Sequence, residues 1–358
     1  MKKNKLEKLA SEKNSPCVTI SMNTHRTHPD NLTDTIAFKN LVKEAHERVI
    51  NEFGKRDVSN LLKKIDGLKE EFDVNYNLES LHIFVSNSTK EIVRSMWPSE
   101  GDIVQIGESF DVKPLIKVYN RTEEYLILLL SQSGVSLFHA LNDGISEEIK
   151  NDDFPFSKNP HFVTDPEKLS DGKNIDNLVR EFFNEVDKAV VRVHNLTGMN
   201  CVVICTEDNY SRLLKVADKP SLYEGHANIN YNNTAPHTLA SGAWEIMKVV
   251  QKKRTTLAIL EMQEAVGEGK VLTDLSEIYR AVKEGRGDLL ISNANFHQPV
   301  KMTGEFTFDL IKDVTLPDAI DDITSEIAWD VFSKKGRVIY TSQDELNLMG
   351  NIALKVRY

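Results

Sequence analysis

Apolar positions in this chain follow two rhythms, one of three- and four-residue steps and one of short unbroken runs. The run Cys17-Val-Thr-Ile-Ser-Met22 predicts a strand. After a polar turn at 23–31, Leu32, Ile36, Leu41, Val42, Ala45, Val49, Ile50 and Phe53 recur at helical spacing, with Gly54 as the stop. Val58, Leu61, Leu62, Ile65 and Leu68 predict a second helix. Residues 81–85 and 92–97, parted by the polar turn 86–90, predict a hairpin, and residues 105–112 a third edge.

A boundary is expected near Lys117, after Pro114. Beyond it, residues 125–130 and 135–141 are apolar runs joined by Ser133-Gly134, a hairpin whose first strand is apolar on both faces and so belongs inside a covered sheet. Residues 142–174 are polar, with Pro155, Pro160 and Pro166. A loop of about 30 residues inside a compact domain is unusual and is often functional. The stripe Ile175, Leu178, Val179, Phe182, Phe183, Val186, Val190 and Val193 predicts the clearest helix. Residues 200–205 predict a buried strand, 209–216 a helix, 218–236 polar turns, and 237–266 one long connecting helix. The last third alternates again, with helices through Leu275–Val282 and Ile320–Phe332 and strands at 288–292, 338–340 and 352–356. The whole predicts a mixed α/β layer fold of three small domains, 1–117, 118–253 and 254–358.

Composition narrows the function. The chain has 358 residues with 54 acidic and 44 basic side chains, a net charge of −10, which argues against a general coat for nucleic acid. The first domain is neutral and the two later ones carry five negative charges each, so the first is the better partner for a polyanion. Three cysteines make no disulfide framework and fit a reducing compartment. Cys201 and Cys205 share one face of an apolar strand and are expected to be buried packing. No apolar run approaches the ~18 residues of a membrane span, and the basic amino terminus lacks the apolar stretch of a signal peptide. A soluble cytoplasmic protein is the expectation.

Few motifs carry chemistry. His25 and His28 lie three apart in the turn after the first strand, without a recognisable further metal ligand, so His25 and Arg26 are taken as contacts to a phosphate or a partner. Neither of the phosphate-loop patterns nor a nucleophile elbow occurs. The acidic pairs Glu147-Glu148, Asp152-Asp153 and Asp321-Asp322 are expected on exposed segments. Lys173 and Arg180, among acids of the helix after the long loop, and the triplet Lys252-Lys253-Arg254 are candidate phosphate contacts. No cofactor, metal or catalytic residue is assigned.

Three stretches resemble a known family: Ser15-Pro-Cys-Val-Thr-Ile-Ser-Met-Asn-Thr-His-Arg26 with Phe38-Lys-Asn-Leu-Val-Lys-Glu-Ala45, then Thr234-Ala-Pro-His-Thr-Leu-Ala-Ser-Gly-Ala-Trp244, then Leu275-Ser-Glu-Ile-Tyr-Arg-Ala-Val-Lys-Glu-Gly-Arg-Gly-Asp-Leu-Leu-Ile291. They are similar to the bacterial relatives of archaeo-eukaryotic peptide-chain release factors and of Pelota. The resemblance implies a small α/β amino-terminal domain, a ribonuclease-H-like middle domain, a carboxy-terminal domain like the kink-turn-binding ribosomal proteins, and action on the ribosome or its tRNA and rRNA. Release factors carry Gly-Gly-Gln in a middle-domain loop. The corresponding place here reads Lys168-Leu-Ser-Asp-Gly-Lys-Asn-Ile175, and Gly-Gly-Gln occurs nowhere in the chain. Asp171, Gly172 and Lys173 stand there instead. The reading is therefore a non-hydrolytic, translation-associated binding protein. The alternatives are a hydrolase of an RNA or peptidyl-tRNA ester using His161 or Asp171, and an interaction scaffold binding a protein through its carboxy-terminal domain.

Overall fold

The structure, a computed structural model, describes residues 3–99, 101–131, 134–156, 172–229, 235–312, 319–342 and 349–358. The chain folds into two compact units. A split unit joins residues 1–121 with 257–358, and a middle unit spans 122–256. The mixed α/β expectation holds in both.

In the split unit the sheet β1 (Lys13–Asn23), β2 (Ser80–Val85), β3 (Lys90–Ser95) and β4 (Ile103–Ser109) is ordered β3-β2-β1-β4 and antiparallel. The period of two along β1 divides its side chains. Val18, Ile20 and Met22 pack under α2 (Asn31–Phe53) and α3 (Ser59–Glu71), together with Leu81, Ile83 and Val85. Thr19, Ser21, Ser80 and His82 alternate with these positions and are buried too, so the second face of the sheet is covered and polar. Gly54 ends α2 at φ 75°, a backbone that side chains resist, and its N–H closes on the Ile50 carbonyl.

The other half of this unit has the sheet β10 (Val271–Leu272), β16 (Ile352–Val356), β11 (Gly287–Asn293) and β15 (Arg337–Thr341), in that order. Leu289, Ile291 and Ala353 meet Ala258, Ile259 and Met262 at the end of α7 (Pro236–Gly267). The opposite face packs on α8 (Leu275–Lys283) and α9 (Ile323–Ser333). Into that same core come Leu6 and Leu9 of α1 (Lys3–Ala10) and Leu115 and Ile116 of α4 (Lys113–Arg121). One apolar core is thus shared by the two ends of the chain. Short strands β12 (Val300–Met302), β13 (Phe308–Leu310) and β14 (Ala319–Ile320) make a further sheet.

The middle unit has one sheet, ordered β7 (Gly144–Glu148), β6 (Gly134–Leu141), β5 (Glu124–Ser131), β8 (Cys201–Ile204) and β9 (Tyr223–Ala227). The first three strands are antiparallel and the last two run parallel to β5. The doubly apolar run 125–130 is central, as its pattern demands. Phe182, Phe183, Val186, Val190 and Val193 of α5 (Gly172–Thr197) lie over Leu126, Leu128, Val203 and Leu213, the last from α6 (Glu207–Val216). Cys201 and Cys205 are buried free thiols, and burial pushes the Cys205 thiol up to about 12. A Cβ on Gly242 would stand 2.1 Å from the Ile229 side chain, so glycine lets α7 approach the segment after β9.

Several expectations need correction. The polar stretch 142–174 is not loop throughout, since Gly144–Glu148 pairs with β6 as β7. Residues 157–171, with His161 and Asp171, lie outside the described residues. The turn-rich segment 218–236 contains β9. Ile320 belongs to β14, and α9 begins only at Ile323, where Asp322 caps it. The boundary expected at Lys117 falls inside α4.

Candidate functional site

The expected contact residues lie in three places. After β1, the His25 Nδ1 is 2.7 Å from Asp34 Oδ1, and the His25 N–H donates to Asp34 Oδ2 at 2.9 Å. Asp34, buried in the first turn of α2, also accepts from Asn77 at 2.9 Å. Its carboxylate raises the His25 pKa, chiefly through that hydrogen bond. The turn is therefore braced from inside while His25 and Arg26 remain exposed, the latter paired with Glu79 at 2.9 Å. Gly172 and Lys173 fall in the first turn of α5 and Arg180 is exposed two turns on. Lys252 and Lys253 are exposed on α7, whereas Arg254 is engaged by Glu123 at 2.9 Å and Glu224 at 3.1 Å. The triplet thus presents two open charges and one neutralised one.

The site that sequence reasoning missed is a cavity of about 420 Å³ within the split unit, lined from both of its chain segments. One wall is the polar face of the first sheet. His82 on β2 is buried, with Nδ1 2.9 Å from Ser21 Oγ and Nε2 3.0 Å from Ser80 Oγ. Ser80 donates its hydroxyl to the Trp97 carbonyl at 2.6 Å, so Nε2–H donates to Ser80 and Nδ1 accepts from Ser21. Burial, reinforced by Lys117, pushes His82 down to about 4 and keeps the ring neutral.

A second wall is α4, which presents Lys113, Lys117 and Arg121 four residues apart on one stripe. Lys113 is 3% exposed and donates to Asp322 Oδ2 at 3.0 Å, Thr324 Oγ1 at 3.1 Å and the Phe296 carbonyl. Lys117 donates to the Ala294 carbonyl at 2.6 Å and stands 4.7 Å from the centre of the Tyr340 ring. Burial, with Arg121 adding to it and Asp322 opposing, pushes Lys117 down to about 7. The Arg121 guanidinium lies 5.7 Å from the centre of the Trp97 ring.

The third wall overturns an expectation. Asp321 and Asp322, taken from sequence as an exposed acidic pair, are sunk into this unit because each meets a cation from the other chain segment. Arg48 of α2 reaches Asp321 at 3.0 Å, and Asp321 also accepts from the Ile106 N–H at 3.1 Å. Asp322 accepts from Lys113 and from the N–H groups of Thr324 at 3.0 Å and Gln298 at 3.1 Å. Asp111, at the same wall, is pushed up to about 6 by burial and then by Asp322. The only sequence signal for this site was the four-residue spacing of Lys113, Lys117 and Arg121, which the boundary at 117 cut in two.

Residues 124–286 match the model of bacterial archaeo-eukaryotic release factor family 3. That segment is similar to the release-factor family. The match runs from β5 past α8 and contains the second of the three stretches noted in the sequence whole and the third as far as Arg286; Ser15–Ala45 lies outside it. Among solved structures, archaeal Pelota in a model of ribosome-bound Pelota and ABCE1 is 14% identical, with 78% of this chain and 72% of that one covered and a TM-score of 0.44. Archaeoglobus fulgidus Pelota is 13% identical, with 78% and 79% covered and a TM-score of 0.38. The archaeal translation termination factor aRF1 is 13% identical over 100% and 99%, with a TM-score of 0.25. No curated protein matches the chain.

Proposed function

We propose that this release-factor-like chain binds the ribosome as a translation-associated factor and hydrolyses nothing there. The observation that carries the reading is the family match over residues 124–286. The absence of Gly-Gly-Gln from the sequence supports a binding role rather than ester hydrolysis. In this reading the segments 1–121, 122–256 and 257–358 correspond to the amino-terminal, ribonuclease-H-like and kink-turn-protein-like parts of the family. Arg26, Lys173, Arg180, Lys252 and Lys253 meet phosphates of tRNA or rRNA as charge-assisted donors, and the acidic carboxy-terminal segment meets a protein partner.

The test is sedimentation of the full chain with bacterial ribosomes, vacant and stalled, through a sucrose gradient. Co-migration at low salt that is lost at high salt is expected, because phosphate contacts release counterions. The triple variant Arg180→Glu, Lys252→Glu, Lys253→Glu is expected to shift the chain to the top of the gradient at intermediate salt. A chain that stays at the top at low salt with both ribosome samples overturns the reading. Faster release of peptide from peptidyl-tRNA in its presence overturns the non-hydrolytic part.

A further inference from the structure

We propose that the outward stripe of α7 is an interface between two copies of this chain, paired antiparallel about a two-fold axis that passes between Leu257 and Leu260. Ala258, Ile259 and Met262 form the inward side of this part of the helix, buried against Leu289, Ile291 and Ala353. Leu257 and Leu260 stand on the opposite side, 55% and 48% exposed. Lys253 and Glu264, both exposed, flank them. The four positions are four, three and four residues apart, which is the spacing of a helix–helix seam.

Their order makes the stripe complementary to itself. The midpoint between Leu257 and Leu260 is also the midpoint between Lys253 and Glu264. A two-fold axis there sets Leu257 on Leu260 of the second copy and Lys253 opposite Glu264 of the second copy, and each contact occurs twice. The antiparallel pairing also opposes the two helix dipoles. Neighbouring charges on α7 are already engaged: Arg254 by Glu123 and Glu224, Glu261 by Arg337 and Lys355, and Glu268 by Lys270. Lys253 and Glu264 have no such partner among the described residues, so both charges are open to a second copy. The seam is about three helical turns long, shorter than a standard interface, so the dimer is expected to be weak, with a dissociation constant on the order of micromolar or above.

Pairing engages Lys253, which the ribosome-binding reading sets on a phosphate, so on that reading dimer and ribosome complex exclude each other. The pairing itself is measured without ribosomes, and its failure leaves the sedimentation result untouched. The full-length chain is followed by analytical ultracentrifugation from about 1 to about 200 µM, where a reversible monomer–dimer equilibrium is expected. Lys253→Glu and Glu264→Lys each turn two attractions into two repulsions and are expected to weaken the dimer ~10-fold or more. An equimolar mixture of the two variants is expected to associate as the unchanged chain does, because both charge contacts between unlike copies are again of opposite sign. The double variant Lys253→Glu, Glu264→Lys is expected to regain the dimer by itself, and Leu260→Asp to abolish it. All these side chains are exposed, so denaturation midpoints are expected to stay unchanged, which separates loss of pairing from loss of folding. A chain that stays monomeric throughout overturns the proposal and leaves the stripe to a different protein. So does association equal in both single-charge variants, which places the interface elsewhere, or a mixture that associates no better than its components, which excludes the antiparallel seam.

Discussion

In the middle unit the charged side chain at the deepest point is Asp187, fully covered, with the Tyr223 hydroxyl at 2.7 Å and the Asp218 N–H at 2.9 Å, and almost everything else around it is aliphatic or aromatic. The split unit buries Asp34, His82, Lys113, Lys117 and Asp322, and two of its ion pairs, Arg48–Asp321 and Lys113–Asp322, join residues more than 200 positions apart. The first unit is held by apolar area, which is non-directional and tolerant. The second adds charges that are stable only while each keeps its partner. An aliphatic core needs little beyond periodicity to be specified, whereas a charged seam needs both chain segments in register.

The contrast can be broken most sharply at Asp322. Asp322→Ala leaves Lys113 buried without its carboxylate and is expected to destabilise the split unit by about 3–5 kcal/mol in urea denaturation. The double variant Lys113→Met, Asp322→Leu is expected to recover most of that loss, and a double variant no better than the single one removes the charge-pair argument. Leu128→Ala, in the apolar core of the middle unit, is expected to cost about 2–5 kcal/mol with no pH dependence. Tyr223→Phe takes one donor from Asp187 and is expected to cost about 1–3 kcal/mol.

Lys117 gives a comparison in pH. Its folded pKa of about 7 lies below the ordinary lysine value of 10.5, so the unfolded chain binds the proton more tightly. Its charge therefore opposes folding in full below pH 7, and the split unit gains stability as pH rises from 7 to 9. Arg121, Asp322, His82 and the Tyr340 ring face this amine. His82, with its folded value near 4, takes up its proton below the window. Cys17 and Tyr340, both raised by burial, pull the other way only above the window. In Lys117→Met the rise between pH 7 and 9 is expected to flatten, read from denaturation midpoints. An unchanged slope shows that Lys117 is not its source. The smallest effect is expected at the exposed Arg254, where alanine costs about 0.2–1 kcal/mol.

Sequence legibility follows the same division. The stripe from Val179 to Val193, the hairpin 125–141 and the buried run 200–205 were readable because each element's periodicity matches the face it buries. Helix α1 was missed because only Leu6, Leu9 and Ala10 anchor it in a basic segment, and β9 because Tyr-Glu-Gly-His-Ala has no apolar run. The cavity stayed hidden for a physical reason. Nothing near Asp321 or Asp322 in sequence reveals that Arg48 and Lys113 will neutralise them, and adjacent acids ordinarily sit in water. Of the expected contacts, Arg254 carried no local sign of Glu123, which precedes β5, or of Glu224 on β9, which lie about 130 and 30 positions back along the chain.

The shared core of α1, α4, α8 and α9 also orders events during synthesis. The middle unit is continuous and can complete itself once residue 256 has left the ribosome. Leu6, Leu9, Phe110, Leu115 and Ile116, made early, have no apolar partner from Ile278 to Val356 until the last hundred residues emerge. A nascent chain that pauses between those points holds a finished insert and an open greasy seam, the state in which a chaperone would find it.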